Sequence, residues 1–128
     1  MKKFFAVILI SLFIVVFYSC KSETTEPQPA AQHEIEYKTT GTVNNISEIR
    51  YLNYNGDTLT ANNQGASWNY KWTQKGKAGD KTYLKVTLTN QTGYVVLTIL
   101  SDSNELTRDT LRAYSTGVAN LSRGITIP

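Results

Sequence analysis

The chain has 128 residues, with 13 Lys and Arg, 10 Asp and Glu, a single Cys and a formal net charge of +3; that length suits one globular unit at most. Lys2 and Lys3 lie in an N-terminal segment read below as removed, which leaves 11 basic against 10 acidic residues and a net +1. Nucleic acid is therefore a poor partner, since phosphate binding needs a concentrated basic face, and a lone cysteine excludes an internal disulfide.

The segment "MKKFFAVILISLFIVVFYSC" opens with two lysines, continues with an apolar run from Phe4 to Tyr18 broken by Ser11, and closes on Ser19-Cys20. This is the three-part layout of a secretory signal, and the run is shorter than the roughly 20 residues of a membrane span. A small residue directly before a cysteine is the lipobox pattern, so residues 1–19 are read as a lipoprotein signal peptide and Cys20 as the lipidated mature N-terminus. Phe17 and Tyr18, with Glu23 soon after the cysteine, make the segment similar to the looser lipoproteins of Bacteroidetes. Diacylglycerol and acyl chains on Cys20 are the expected covalent additions. Two or more chains hold a protein stably on a bilayer, at about 0.8 kcal/mol per buried methylene. The expected location is the outer membrane, on its periplasmic or surface leaflet, ahead of the periplasmic face of the inner membrane.

"KSETTEPQPAAQHE" lacks apolar periodicity and contains Pro27 and Pro29, so residues 20–34 are read as the lipidated cysteine and a flexible tether. In extended form, at about 3.1 Å per residue, the dozen residues from Lys21 to Gln32 span up to roughly 35 Å. His33, the sole histidine, is expected to be a solvated tether residue.

From 35 to 128 the text is strand-like. "IEYKTTG" alternates about Ile35 and Tyr37, and "ISEIRYLNY" sets Ile49 and Tyr51 on one face. "NGD" at Asn55 to Asp57 is a hairpin signal because Asn and Gly tolerate positive φ. "SWNYKWTQ" alternates Trp68, Tyr70 and Trp72 against polar residues, and "KGKAGDK" supplies a turn. "TYLKVTLTN" alternates Leu84, Val86 and Leu88; "GYVVLTIL" is expected to bury Val95, Leu97 and Ile99 ahead of the turn "SDSN". "ELTRDTLRAY" and "GVANLSRGITI" complete about seven strands. Short strands punctuated by turns describe an all-β antiparallel sandwich or barrel.

The order "YKTTGTV", "IRYLNYNGDT", "SWNYKW", "YLKVTLTN", "GYVVLTILSD" and "STGVAN" resembles the domain of MmpS-type accessory proteins and their lipoprotein relatives. The resemblance covers about 85 residues. It implies an immunoglobulin-like β-sandwich and a non-catalytic role assisting resistance-nodulation-division exporters from the outer face of a membrane. Here a lipobox stands where that family has a transmembrane anchor, and the paired cysteines of its mycobacterial members are absent.

Trp68, Tyr70 and Trp72 at period two are either sandwich core or an aromatic platform for a flat ligand, with Tyr83 and Tyr94 able to extend it. Trp68, Tyr70, Trp72 and Tyr83 are thus the candidate ligand-binding residues. Lys71, Lys75, Lys77 and Lys81 gather about one hairpin and read as a solvated turn or a contact with lipid phosphates. Asp57, Asp80, Asp102, Glu105 and Asp109 read as turn formers, with no full metal-ligand set. Asp57-Thr58-Leu59 and Asp109-Thr110-Leu111 match an Asp-Ser/Thr-apolar O-glycosylation sequon, which makes Thr58 and Thr110 candidate modification sites. No nucleophile motif is present. The expectation is a non-enzymatic, lipid-anchored envelope lipoprotein with no catalytic residue, metal or cofactor. It acts as an accessory or binding domain linked to membrane transport, or else as a surface glycan- or protein-binding module.

Overall fold

In the computed structural model, residues 28–128 are described; the signal segment, Cys20 and the first part of the tether lie outside them. The described chain is all β: β1 (Gln32–His33), β2 (Ile35–Gly41), β3 (Ile46–Leu52), β4 (Thr58–Gln64), β5 (Trp68–Lys71), β6 (Gly76–Lys77), β7 (Lys81–Thr89), β8 (Gly93–Ser101), β9 (Asn104–Ala113) and β10 (Val118–Thr126). Two antiparallel four-stranded sheets, β10-β7-β3-β4 and β5-β2-β8-β9, stack as a sandwich, and β1 pairs with β6 as a third, two-stranded sheet. The expected antiparallel sandwich is there, with ten strands rather than about seven. The additional three are β1, β6 and β4. The first two have only two residues each, and the segment "TLTANNQ" of β4 turns just Leu59 and Ala61 inward, opposite Tyr51 and Ile49.

Period-two alternation builds the core. Leu84, Val86 and Leu88 on β7, Val95, Leu97 and Ile99 on β8, Ile35 and Tyr37 on β2, and Ile49 and Tyr51 on β3 are all buried between the sheets. Successive side chains of a strand point to opposite faces, so these residues share the inner layer while Lys85, Thr87 and Thr98 face out. On one side of the sandwich the edge strands β9 and β10, which belong to different sheets, are joined by the ion pair of Asp109 with Arg123.

Strand direction gives the sandwich two distinct ends. The chain enters at β1, and the loops 53–57, 72–75, 78–80 and 102–103 lie at that same entry end with the C-terminal residues. Loops 42–45, 65–67, 90–92 and 114–117 form the far end. The β8–β9 connection is a two-residue turn with Asp102 (φ 50) and Ser103 (φ 67) both left-handed, the geometry that matches strand twist in tight hairpins.

Strand pairing starts upstream of residue 35. β1 pairs Gln32 with Lys77 and His33 with Gly76. His33 is half-buried rather than solvated, because the β8–β9 turn projects beside it and its Nδ1 lies 2.7 Å from Asp102 Oδ2. Asp102 Oδ1 also accepts the Glu34 N–H at 2.8 Å. Those two contacts, the backbone one first, hold the Asp102 carboxyl below its usual range.

Candidate functional site

The aromatic strand β5 pairs with β2 so that Tyr70 lies opposite Tyr37 and Trp68 opposite Thr39. Tyr37 and Thr39 point inward, hence Trp68 and Tyr70 do as well. Tyr51 of the facing sheet lies 4.5 Å from the Tyr70 ring and 5.1 Å from Trp68, both tilted, and Tyr37 stacks on Tyr70 at 6.4 Å. Such pairs add about 0.5–1.5 kcal/mol each beyond their area burial. Because β5 and β4 are edge strands, Trp68 and Tyr70 remain half-buried, closing the open side of the sandwich.

Trp72 lies one residue past β5 and turns beneath the sheets. It is 8% exposed, and its Nε1–H donates to the Leu52 carbonyl at 2.9 Å and to the Tyr37 hydroxyl at 3.2 Å. Tyr83 is on the outer face of the opposite sheet, paired across from Gly124. The four candidate ligand residues therefore do not share a surface. Trp68, Tyr70 and Trp72 line the interior seam, and Tyr83 faces solvent from the other sheet.

Tyr37 is fully buried, and its hydroxyl also accepts the Tyr83 N–H at 3.4 Å. Burial pushes its pKa up to about 12 from the ordinary 10.0, since a phenolate is poorly solvated there. The native state therefore holds the proton where the unfolded chain has lost it. Stability from this group is complete below pH 10 and falls by about 1.4 kcal/mol per unit as the pH climbs toward 12. Urea unfolding at stepped pH checks this: Tyr37→Phe should flatten that part of the alkaline decline.

At the entry end, two shallow clefts flank Trp72. One, of about 230 Å³, is lined by Leu52, Asn53, Tyr54, Asp80 and Lys81; the other, of about 290 Å³, by Glu34, Ile35, Lys71, Gln74 and Lys75. Both fall below the roughly 300 Å³ at which small-molecule pockets begin. Lys71, Lys75, Lys77 and Lys81 do gather at this end, interleaved with Glu34, Asp57, Asp80 and Asp102, so the surface is mixed in sign rather than basic. Asp80 Oδ2 caps the turn by accepting the Lys77 N–H at 2.8 Å, and Asn53 Oδ1 accepts the N–H groups of Asn55 and Asp57, each at 2.9 Å. Among the described residues no group of three or more His, Cys, Asp or Glu side chains is gathered for a metal. Thr58 and Thr110 are exposed on the edge strands β4 and β9.

The far end is chemically different. None of its four loops contains a charged residue: they read Thr-Val-Asn-Asn, Gly-Ala-Ser, Asn-Gln-Thr and Tyr-Ser-Thr-Gly. The three exposed large apolar side chains among the described residues all stand here, Tyr94 at 36%, Tyr114 at 76% and Val118 at 66%. Arg112, opposite Tyr94 in the ladder, sits over its ring with the guanidinium carbon 5.7 Å from the centroid. The loops are stitched together by side chains: Asn90 Oδ1 accepts Gly117 N–H at 2.9 Å, Thr92 Oγ1 accepts Ser115 N–H at 3.1 Å, Thr42 Oγ1 accepts Tyr94 N–H at 3.3 Å, and Gln91 Oε1 accepts Asn45 N–H at 3.3 Å. Asn90 (φ 50), Ser115 (φ 56) and Gly117 (φ 99) adopt left-handed backbone there. The sequence reading missed Tyr114 and Val118. The missing charge was legible in each loop, but that the four loops meet at one end follows from strand order.

Comparison of the chain with protein-family models and with curated proteins found no match in either.

Proposed function

We propose that the protein is a lipid-anchored, non-enzymatic envelope lipoprotein, held to a membrane through acyl chains on Cys20, whose sandwich works as an accessory or binding domain. Its link to membrane transport is the role that the resemblance to MmpS-type domains implies. The support is the end-to-end asymmetry of the sandwich. The chain arrives at an end where Lys71, Lys75, Lys77 and Lys81 are mixed with Glu34, Asp57, Asp80 and Asp102, and the opposite end exposes Tyr94, Tyr114 and Val118 on and beside braced, uncharged loops. A domain tethered by its entry end presents the far end away from the bilayer. Braced loops present contacts at a lower ordering cost than loose ones.

The experiment is fractionation of cells carrying the wild type or Cys20→Ala, with in-cell crosslinking and intact-mass measurement of the mature protein. The wild type should sediment with membranes and carry the mass of lipid, and Cys20→Ala should move to the soluble or precursor fraction. A Cys20→Ala protein that is cleaved and still membrane-bound overturns the anchor. Crosslinks to an export pump or its periplasmic partner support the transport link, and their absence removes it. The same mass spectrum reads Thr58 and Thr110, because glycan there adds mass beyond lipid and polypeptide.

A further inference from the structure

We infer that the far end of the sandwich is a binding site for an uncharged polysaccharide, built from the Tyr114 and Tyr94 rings and the amide and hydroxyl side chains of the loops between them; this rests on the proposal that the domain works by binding. A neutral sugar polymer offers two kinds of surface, apolar C–H faces and hydroxyls that both donate and accept. Tyrosine rings match the first, being broad, stiff and amphipathic. Asn, Gln, Ser and Thr match the second, because amide and hydroxyl groups can likewise donate and accept. Among the described residues the side chains of Asn44, Ser115 and Thr116 are exposed and make no hydrogen bond to protein, which leaves them free for a ligand.

Charge selects the ligand class. The loops hold no lysine or arginine to neutralise phosphate, sulfate or uronate, and no carboxylate to hold a cation. The adjacent guanidinium, Arg112, is engaged on the Tyr94 ring. An acidic polymer or phosphorylated headgroup would find no counter-charge in the loops, whereas a neutral one requires none. A protein interface gathers an apolar core; here the exposed large apolar side chains are Tyr94, Tyr114 and Val118 alone, set among amide and hydroxyl groups. The backbone N–H groups that donate to Asn90, Gln91, Thr92 and Thr42 fix the loops before a ligand arrives, so little ordering cost opposes weak, multiple contacts along a chain.

The test is affinity electrophoresis of the detergent-solubilised, lipidated protein through native gels containing mannan, dextran, xyloglucan or, as the acidic probe, polygalacturonate. Retardation is expected in at least one neutral gel and not in polygalacturonate. Tyr114→Ala and Tyr94→Ala should each weaken retardation by about tenfold, Thr116→Asp should weaken it as well, and Tyr83→Ala on the outer face of the other sheet should not. Thermal melts identify any variant that has lost its fold, and Tyr114, at 76% exposed, is the least involved in packing. No retardation in any neutral gel, equal retardation of the tyrosine variants, or preference for polygalacturonate overturns the inference. Photo-crosslinking from position 114 to a pump component also overturns it, while leaving the accessory role intact. Because the gels read the far end regardless of the anchor, a failed Cys20 fractionation and a failed retardation are separate results.

Discussion

Gly41→Ala should lower the melting temperature of the domain by about 15 °C or more, which corresponds to roughly 3 kcal/mol for a unit of this size. A Cβ built at Gly41 falls 2.1 Å from the Tyr94 carbonyl oxygen and 2.8 Å from the Val95 Cα. Both are backbone atoms of β8, so no side chain can swing aside. The Thr42 N–H donates to that same Tyr94 carbonyl at 2.9 Å, so the two strands are clamped where the methyl would push them apart. A glycine inside a strand commonly marks such a close backbone approach. Gly65→Ala is the control: nothing lies within 4 Å of its Cβ position, and its melt should stay within a degree or two of wild type. If Gly41→Ala melts with Gly65→Ala, β2 and β8 do not approach as described. Displacement of β8 also carries Tyr94, so Gly41→Ala should disturb the far end more than its distance from Tyr114 implies.

Trp72→Ala is the second large effect, with an expected loss of about 3–5 kcal/mol by denaturant unfolding. The indole fills the entry end beneath both sheets, and a Cβ on Gly76 would already lie 2.9 Å from its Cζ3, so the site is closely packed. Removing the ring empties that space, takes the indole donor from the Leu52 carbonyl and leaves the Tyr37 hydroxyl with the Tyr83 N–H alone. Trp72→Phe separates the two contributions. It restores much of the volume and removes only the two indole N–H bonds, for an expected cost of about 1–3 kcal/mol. A Trp72→Ala protein with wild-type stability would mean that this residue is not core. Trp68→Ala should cost less, because its ring is half-buried at the sandwich edge.

The strands that could be read directly were those with clean alternation. Leu84, Val86 and Leu88 leave a signal at period two because one face of β7 is buried and the other is wet. β4 left little signal, because an edge strand of mostly Thr, Asn and Gln buries too little to announce itself. β1 and β6 left none, since two-residue strands exist by pairing with each other, forty-odd residues apart in sequence. The triplet Trp68, Tyr70 and Trp72 was legible as one face of a strand, but which face was not. Alternation is symmetrical with respect to inside and outside, and the register of Tyr70 with the buried Tyr37 breaks that symmetry. His33 read as solvated because its partner, Asp102, is 69 residues away.

Composition and periodicity by themselves determined the β class, the inner residues of the long strands, the hairpin turns and the absence of charge from each far-end loop. Those properties are local, since backbone preference and amphipathic period act over a few residues. Tertiary structure alone decided that Tyr83 faces away from Trp68, that the lysines share their end with four carboxylates, and that Tyr94, Tyr114 and Val118 stand together opposite the point where the chain enters. Each of those facts depends on strand order and register, which long-range hydrogen bonding and the burial of one common core impose.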